Sequence, residues 1–550
     1  MFASFSELST FARYTATLPG YLRHRMGSDE ARHRLADALA NREENFLRVM
    51  ERGVFGNAAS PYLALLRLAG VEFGDIQALV RSDGLEAALG KLYDAGVYVT
   101  LDEVKGRRPI ERNGLSLPIT SGAFDNPLMT RHYQGMSSGS RGPRTRVNID
   151  LAMLEHEAAY VHQYLDGFNL WQRPYAVWRP VPPVVTAVKW ILRLEKLGKP
   201  LDRWFSQTRI VLGDGHWTFA LFTVTTVAEG RLLGRRFPAP QHVPTSAPEP
   251  VAAWLAQMTR RGTPAVLDTM VSSAVRLCAY AKERGIDISG TLFRVGGEPL
   301  TTAKAQVIAG TGCRTTCFYS ITEMSFVGAP CATPDALDDV HLLTDKVVAL
   351  LRPKSIGASS VDALIYTTLL PSSPKLLMNV ESGDYATLSS RTCDCPMGQL
   401  GFTQHLSNIR SYEKLTSEGV TFLGTELLRL VEEVLPKTFG GAPTDYQLVE
   451  AEENGLSRIL IVASPVLGPL DESTVVERVL ETLSAYPGGS VMTQHWRQGE
   501  TLKLVRRDPY QTASAKILPL HLHRLTEPAH NGTHGSNHAS DREPSSQHMR

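Results

Sequence analysis

The sequence has few cysteines and no long apolar run. Its six cysteines in 550 residues cannot form the dense disulfide framework of a small secreted domain. They indicate a reduced compartment, and we expect a cytoplasmic protein. The longest apolar stretch, residues 210–227, is interrupted by Asp214, Gly215 and His216, which excludes a membrane-spanning helix there. The first residues lack the basic region and apolar core of a signal peptide.

The sequence also lacks an excess of charge of either sign. Lys and Arg number 57 and Asp and Glu 56, so the formal net charge is +1. This balance predicts neither a nucleic-acid nor a membrane partner. Hydrophobic residues make up 43% and charged residues 21%, as in an ordinary globular protein. A chain of this length is expected to form at least two domains with a large core.

Apolar spacing and turn residues divide the chain into regions. We predict an α/β fold, with a helical N-terminal region at 1–105, a large α/β domain at 106–409 and a small α+β domain at 410–523. The tail at 524–550 is rich in Asn, Ser, His and Gly and is expected to be disordered. Within the large domain, the Pro- and Ala-rich residues 236–250 are expected to form an exposed connector.

Several elements of the large domain have clear local signals. A helix is expected to begin after Asp150, whose side chain can cap it. Residues 291–295 predict a buried strand that leads into a glycine turn and a helix at 302–309, and residues 317–323 predict another strand. A strand followed by a glycine turn and a helix is the α/β arrangement that binds ligands at the carboxyl ends of strands.

A loop rich in glycine and hydroxyl groups lies between two strand-like segments. Its sequence is Ser137-Ser138-Gly139-Ser140-Arg141-Gly142. Glycines let the backbone approach phosphate oxygens closely, and serine hydroxyls and a basic side chain add hydrogen-bond donors. By itself the pattern is also typical of an ordinary surface loop. Its significance comes from the motifs that follow it.

Three further motifs follow in order along the chain. They are Gly296-Gly297-Glu298-Pro299-Leu300, Tyr319-Ser320-Ile321-Thr322-Glu323 and Ser382-Gly383-Asp384. Together with the glycine-rich loop, this ordered set resembles the adenylate-forming (acyl- and aryl-CoA synthetase) superfamily, and within it the phenylacetate-CoA ligase-like branch. The resemblance covers residues 110–520. It implies a large α/β domain that binds ATP, Mg²⁺ and the acid, and a small, mobile α+β domain that supplies a lysine.

The resemblance implies a role for each motif. The loop at 137–142 would cover the β- and γ-phosphates, Thr322 would donate to the α-phosphate, and Glu323 would ligate Mg²⁺, a hard cation that prefers oxygen. Asp384 would accept both ribose hydroxyls, and Arg410, at the junction of the two domains, would also reach the ribose. The remaining residues implied in nucleotide binding are Gly296, Gly297, Glu298, Tyr319 and Ser320, with Tyr319 stacked beside the adenine.

A lysine of the small domain is implied in the first half-reaction. Lys516 fits best, because a mobile point charge suits a phosphoryl transition state, and Lys503 is its competitor. The glycine that usually precedes this lysine is Ala515, and Arg141 stands where the phosphate loop usually has Thr or Ser. The acidic pair that often follows the junction arginine is also missing. These departures leave open a catalytically silent adenylate-binding protein.

Three cysteines and a histidine, Cys331, His341, Cys393 and Cys395, form a second constellation. Three thiolates and one imidazole make a closed tetrahedral zinc set, which implies a structural metal. The phenylacetate-CoA ligase-like branch has similar residues in these places, and some members bind zinc there. The alternative is a set of buried free thiols with a surface histidine, and the step of ten residues from Cys331 to His341 is longer than we expect for a zinc site. The remaining cysteines, Cys278, Cys313 and Cys317, are predicted core residues.

The predicted activity is ATP-dependent activation of a carboxylic acid, aryl or unusual acyl, as an acyl-AMP, followed by transfer to CoA. An alternative keeps the adenylation step and changes the acceptor to an amine, nitrite or a carrier protein. The aromatic residues Trp171, Tyr175, Trp178 and Trp217 permit an aryl acid without specifying one. Dimers are common among such proteins, so a homodimer is a candidate assembly.

Overall fold

The structure is a computed structural model with a mixed α/β architecture, which confirms the predicted fold class. No helix in the part of the chain that it describes is long and apolar enough to cross a membrane. The residues described are 5–136, 146–182, 184–209, 217–297, 299–300, 302–356, 359–411, 415–417, 420–422, 430–441, 445–453, 456–485, 489–510 and 520–522.

Residues 5–104 are largely helical, as their apolar spacing predicts. Leu35, Leu66 and Leu89 of these helices are fully buried. The last helix begins at a capping box, in which the Thr100 hydroxyl accepts the N–H of Glu103 and the Glu103 carboxylate accepts the N–H of Thr100. The helices are α1 (Phe5–Arg23), α2 (Ser28–Ala40), α3 (Arg42–Val49), α4 (Pro61–Leu68), α5 (Phe73–Asp83), α6 (Leu85–Asp94) and α7 (Leu101–Val104), with a π-helical turn at Met50–Phe55.

A six-stranded parallel sheet has the strand order β10-β9-β8-β5-β6-β7. Every residue of β5, β8 and β9 is buried, as expected for a parallel sheet covered on both faces. Its strands are β5 (Tyr175–Trp178), β6 (Arg203–Ser206), β7 (Gln241–His242), β8 (Val266–Asp268), β9 (Leu292–Val295) and β10 (Arg314–Cys317). The accompanying helices are α8 (Leu151–Gly167), α9 (Thr186–Lys196), α10 (Trp217–Leu232), α11 (Glu249–Arg260), α12 (Val271–Glu283) and α13 (Thr302–Ala309). Asp150 caps α8 as predicted, because its carboxylate accepts the N–H of Ala152.

The predicted exposed connector at 236–250 is wrong in part. It contributes the edge strand β7, which pairs with β6, and Phe237 and Val243 are buried. The indole N–H of Trp178 donates to the Val243 carbonyl at 2.8 Å. The Pro- and Ala-rich composition indicates that no long regular element forms here. Composition does not reveal that the indole N–H of Trp178 on β5 takes a backbone carbonyl of this segment as its hydrogen-bond partner.

A seven-stranded antiparallel sheet has the order β11-β12-β13-β17-β16-β15-β14. The strand predicted at 317–323 is divided between the two sheets: β10 belongs to the parallel sheet and β11 to the antiparallel one, with Phe318 between them. The strands are β11 (Tyr319–Ile321), β12 (Ser325–Pro330), β13 (Val340–Leu342), β14 (Val347–Ile356), β15 (Ser359–Thr368), β16 (Val380–Ser390) and β17 (Gln404–Ser411), with helix α14 (Pro396–Gln399) before β17.

Three short hairpins and a C-terminal sheet complete the described structure. The sheet has the order β22-β21-β20-β23, and its core includes Leu448, Ile461 and Trp496. It contacts the parallel-sheet region where the Arg276 guanidinium donates to the Gly499 carbonyl at 2.6 Å. The hairpins are β1 (Ile110–Arg112) with β2 (Leu115–Leu117), β3 (Tyr133–Met136) with β4 (Arg146–Ile149), and β18 (Leu415–Ser417) with β19 (Val420–Phe422). The C-terminal elements are β20 (Tyr446–Glu453), β21 (Leu456–Ala463), β22 (Leu502–Arg506), β23 (Leu520–Leu522) and helices at Leu435–Phe439, Glu472–Ser484 and Gly489–Gln498.

A fully buried carboxylate joins the helices to the antiparallel sheet. Glu157 of α8 is 0% exposed and forms ion pairs with Arg193 of α9 and Lys346 before β14. It also accepts the backbone N–H of Phe326 in β12 at 3.2 Å. Burial alone would raise the pKa of Glu157, but the charges of Arg193 and Lys346 lower it well below its usual range. The carboxylate is therefore ionised and stabilises this junction.

We predict that Glu157→Gln destabilises the protein by about 3–5 kcal/mol at pH 7, because it leaves two buried cations without their counter-charge. The pKa of Glu157 is lower in the folded than in the unfolded state. Its stabilisation is therefore present above the unfolded pKa of about 4.3 and is lost as the pH falls below it, so the deficit of the variant should shrink there.

Urea unfolding at several pH values measures this difference. Glu44→Gln is the control, since Glu44 forms an exposed pair with Arg48 and should contribute little. A Glu157→Gln protein as stable as the wild type at pH 7 would contradict the prediction.

Candidate functional site

The turn after β9 lies against the segment that carries the Tyr319 motif. The Phe318 N–H donates to the Val295 carbonyl at 3.3 Å. A Cβ at Gly296 would lie 3.0 Å from the Phe318 carbonyl oxygen, and Gly297 has φ +89°, a conformation that favours glycine. Two motifs that are distant in sequence thus meet at the carboxyl edge of the parallel sheet, where α/β proteins bind ligands.

A bulge in β16 positions Asp384. The Ser382 hydroxyl donates to the Leu364 carbonyl at 3.0 Å and accepts the N–H of Asp384 at 3.1 Å. Gly383 has φ +79°, and the register of β15 and β16 shifts here. The Asp384 carboxylate then accepts a hydrogen bond from the Tyr319 hydroxyl at 2.8 Å. The second and third motifs are therefore in direct contact.

The Tyr319 hydroxyl is locked in its neutral form. Burial raises its pKa well above the ordinary value, and the neighbouring Asp384 charge raises it further. Tyr319 is therefore a hydrogen-bond donor to Asp384 at any physiological pH. Asp384 itself is half-buried and can accept more than one hydrogen bond, as a ligand with neighbouring hydroxyls would require.

Glu323 forms an ion pair that sequence reasoning missed. Thr322 is exposed, whereas the Glu323 side chain is only 8% exposed and pairs with the Lys105 ammonium. Burial would raise the pKa of Glu323. The charges of Lys105 and, more weakly, Lys375 outweigh this effect and lower the pKa to about 2. The capping box of α7 signals where that helix begins, but no local pattern links Lys105 to a residue more than two hundred positions away.

The hairpin that carries the glycine-rich loop is anchored near Glu323. At its base, the Gln134 amide donates to Asn148 at 3.0 Å, and the Asn148 amide donates to Asp125 at 3.3 Å. Asp125 also accepts from Lys375 at 2.6 Å, the same ammonium that acts on Glu323. The base of the β3–β4 hairpin is therefore linked to the surroundings of Glu323 through Asp125 and Lys375. The predicted residues Ser137, Ser138, Gly139, Ser140, Arg141, Gly142, Glu298, Ala515 and Lys516 lie outside the described part of the chain.

Arg410 lies beside this site. It is in β17, where it pairs with Tyr385, the residue after Asp384. Its guanidinium donates to Asp338 at 3.0 Å. Burial raises the pKa of the Cys317 thiol to about 12, and the charges of Asp338 and Arg410 also act on that thiol. Arg410 therefore lies on the strand next to the one that carries Asp384.

Two predictions remain: that the other three cysteines are core residues, and that Lys503 competes with Lys516 for the catalytic role. Cys278 and Cys313 are buried as predicted, whereas Cys317 is half-buried. Lys503 lies on β22 with its ammonium 3.4 Å from Glu453, and its side chain is about half exposed.

The four predicted metal ligands converge on one point. Their donor atoms all lie within 4.8 Å of one another. The Cys331 and Cys393 sulfurs are 3.8 Å apart, and Cys393 and Cys395 are 3.3 Å apart. His341 Nε2 lies 3.0 Å from Cys395 Sγ and 3.6 Å from Cys393 Sγ. A tetrahedron with Zn–S bonds of about 2.3 Å has edges of about 3.8 Å, so these separations fit a zinc-sized ion.

Neighbouring groups orient the ligands for a metal. His341 Nδ1 lies 2.7 Å from the Phe402 carbonyl, which makes Nδ1 the donor and leaves the Nε2 lone pair facing the thiols. A hydrogen bond from Cys331 lowers the pKa of Cys395 to about 7, as a thiolate ligand requires. A Cβ at Gly398 would lie 2.2 Å from the Cys393 carbonyl oxygen, so α14 requires glycine where it packs against Cys393. The donor set fits a closed, structural site.

These features define a mixed α/β protein with a candidate nucleotide site between its two large sheets and a separate candidate metal centre. No family model matches the sequence, and no curated protein matches it. The fold is similar to solved structures of acid–CoA ligases. The structure of 2-hydroxyisobutyryl-CoA ligase in complex with 2-HIB-AMP and CoA has 15% identity and a TM-score of 0.49, covering 91% of this chain and 91% of that chain.

Two further similar structures are of the same kind. The o-succinylbenzoate CoA synthetase of Bacillus subtilis has 12% identity and a TM-score of 0.38, over 74% of this chain and 71% of its own. The anthranilate CoA ligase AuaEII in complex with anthranoyl-AMP has 12% identity and a TM-score of 0.30, over 70% and 65%. At this identity the likeness concerns the fold alone.

We predict that the purified protein contains about one zinc ion per chain and that Cys395→Ser loses it, because three ligands no longer close the tetrahedron. Elemental analysis and the thermal midpoint measure the two consequences, and both metal content and midpoint should fall. Cys317→Ser is the control and should keep the metal. Metal-free wild type, together with an unchanged midpoint in Cys395→Ser, would disprove the metal centre.

Proposed function

We propose that this chain is an ATP-dependent, AMP-forming ligase of the adenylate-forming superfamily. The observation that supports this most directly is the hydrogen bond from Tyr319 to Asp384. The residue before Tyr319 contacts the Gly296 turn, and the residue after Asp384 pairs with Arg410. Parts of three motifs with separate predicted roles in nucleotide binding, spread from Gly296 to Asp384, lie together. A structural role alone gives no reason for that convergence.

The first half-reaction joins an acid to AMP. The substrate carboxylate attacks the α-phosphorus of ATP, the bond to the β-phosphate oxygen breaks, and pyrophosphate leaves with its electron pair. Asp384 accepts the ribose hydroxyls, while Arg410 contacts the ribose from β17. Thr322, exposed at the end of β11, donates to the α-phosphate. These contacts align the reacting groups, which accounts for much of the catalysis in such a transfer.

Glu323 is the proposed ligand of Mg²⁺, which would neutralise phosphate charge when bound. In the arrangement described here the carboxylate pairs with Lys105. Lys105 keeps the Glu323 carboxylate ionised, as a ligand of a hard cation must be. The glycine-rich loop at 137–142 and Lys516 complete the proposed set around the phosphates.

The second half-reaction transfers the acyl group to a nucleophile. CoA thiol is the proposed acceptor, by resemblance to the phenylacetate-CoA ligase-like branch: its sulfur attacks the acyl carbon and AMP leaves. We propose an aryl or unusual acyl acid as substrate. Product analysis with CoA, an amine or nitrite as acceptor distinguishes thioester formation from the alternatives.

ATP–pyrophosphate exchange across aryl, fatty and amino acids is the direct test of the proposed function. Acid-dependent exchange supports adenylation and identifies the acid class at the same time. Measurable ATP binding without exchange for any acid would support the catalytically silent alternative.

We predict that Glu323→Gln lowers the exchange rate about 10²-fold and raises the Mg²⁺ concentration for half-maximal rate, because a neutral amide binds a hard cation poorly. Glu111→Gln, at an exposed position of β1, is the control and should leave both unchanged. Wild-type exchange and Mg²⁺ dependence in Glu323→Gln would remove Glu323 from the site.

A further inference from the structure

The ten-residue step between the metal ligands Cys331 and His341 is occupied by a hairpin loop that reaches Arg410. β12 ends at Pro330 and β13 begins at Val340, and the chain between them, residues 331–339, forms this loop. We propose that Asp338 in this loop is a positioning residue for Arg410, and that the metal centre holds the loop in place. This role rests on the proposed function, since it concerns how Arg410 meets the nucleotide.

Asp338 contacts three consecutive residues of β17. Its carboxylate accepts the N–H of Asn408 at 2.8 Å, the N–H of Ile409 at 3.0 Å and the Arg410 guanidinium at 3.0 Å. Asn408 has φ +54°, so the strand changes direction here and its N–H groups need a partner outside the sheet ladder. A carboxylate with two oxygens satisfies the backbone and one edge of the guanidinium together.

The geometry leaves Arg410 able to bind a ligand. Its side chain is 28% exposed, whereas the Asp338 side chain is only 6% exposed. Nη1 is held by Asp338 and by the Ile409 carbonyl at 2.7 Å. A long side chain fixed at one nitrogen has lost most of its rotamer freedom before a ligand arrives, and this lowers the entropic cost of binding.

The base of the same loop is the metal centre. The Cys331 N–H donates to the Asp339 carbonyl at 3.3 Å. Arg391 donates to Asp339 at 2.5 Å and to Cys331 Sγ at 3.3 Å. His405 Nδ1 lies 2.7 Å from the Asp339 carboxylate, and His405 pairs with the ligand His341 across β13 and β17. Asp338 is therefore adjacent to a residue that is tied directly to the metal ligands.

This arrangement explains why ten positions separate Cys331 from His341, a longer spacing than a compact zinc site requires. The extra residues extend the loop from the metal ligands to Asn408, two residues before the predicted start of the small domain at 410. The metal centre is thus connected to nucleotide binding without touching the nucleotide.

Binding of AMP and of 2′,3′-dideoxy-AMP by calorimetry tests the role of Asp338. In Asp338→Asn, the amide still accepts from one backbone N–H but no longer pairs with the guanidinium charge. We expect AMP to bind about tenfold more weakly, with little change for the dideoxy nucleotide, so that discrimination of the ribose hydroxyls falls. Asp335→Asn is the matched control, because Asp335 lies in the same loop and its exposed side chain pairs with Arg391, not with Arg410.

Two further measurements of AMP affinity distinguish a positioning role of Asp338 from a purely structural one. Adding Asp338→Asn to Arg410→Ala should have no further effect on AMP affinity, since the two residues act as one unit. Removing the metal with a chelator should weaken AMP binding in the wild type but much less in Asp338→Asn.

Three contrary results are possible, and each would overturn a different claim. Unchanged ribose discrimination in Asp338→Asn, even with a lower thermal midpoint, would overturn the positioning role. Unchanged AMP affinity in metal-free wild type would overturn the link to the metal centre. A zinc-loaded, folded wild type that binds no AMP would overturn the proposed function itself.

Discussion

The passage of the chain from one sheet to the other at Phe318 determines where the candidate site lies. β10 ends in the parallel sheet at Cys317, and β11 begins in the antiparallel sheet at Tyr319. The single residue between them packs against the Gly296 turn through its backbone. Any rearrangement of this junction would separate the glycine turn from Tyr319, and with it from Asp384.

Buried carboxylates stabilise this junction from several sides. Glu157 connects the helices to β12, Glu323 pairs with Lys105 of the N-terminal helical region, and Asp338 binds β17. Glu157 and Glu323 each have a cation as partner, so burial does not neutralise them.

Much of this arrangement could be predicted from the sequence. The order of the motifs indicated a nucleotide site, and the cysteines and histidine indicated a four-ligand cluster, because residue type and order are preserved in the chain itself. The partners Lys105 and Asp338 could not be predicted, since neither belongs to a local pattern. The connector at 236–250 was misjudged because composition does not indicate what a segment packs against.

The sequence alone determined the fold class, the helical N-terminal region and the residue types available for chemistry, because these depend on local periodicity, capping and side-chain chemistry. Only the tertiary structure decided which of those residues meet. The Tyr319 hydrogen bond to Asp384, the Lys105 partner of Glu323 and the reach of the Asp338 loop all depend on strand pairing and a bulge. Such long-range contacts result from how whole sheets pack, and no short stretch of sequence specifies them.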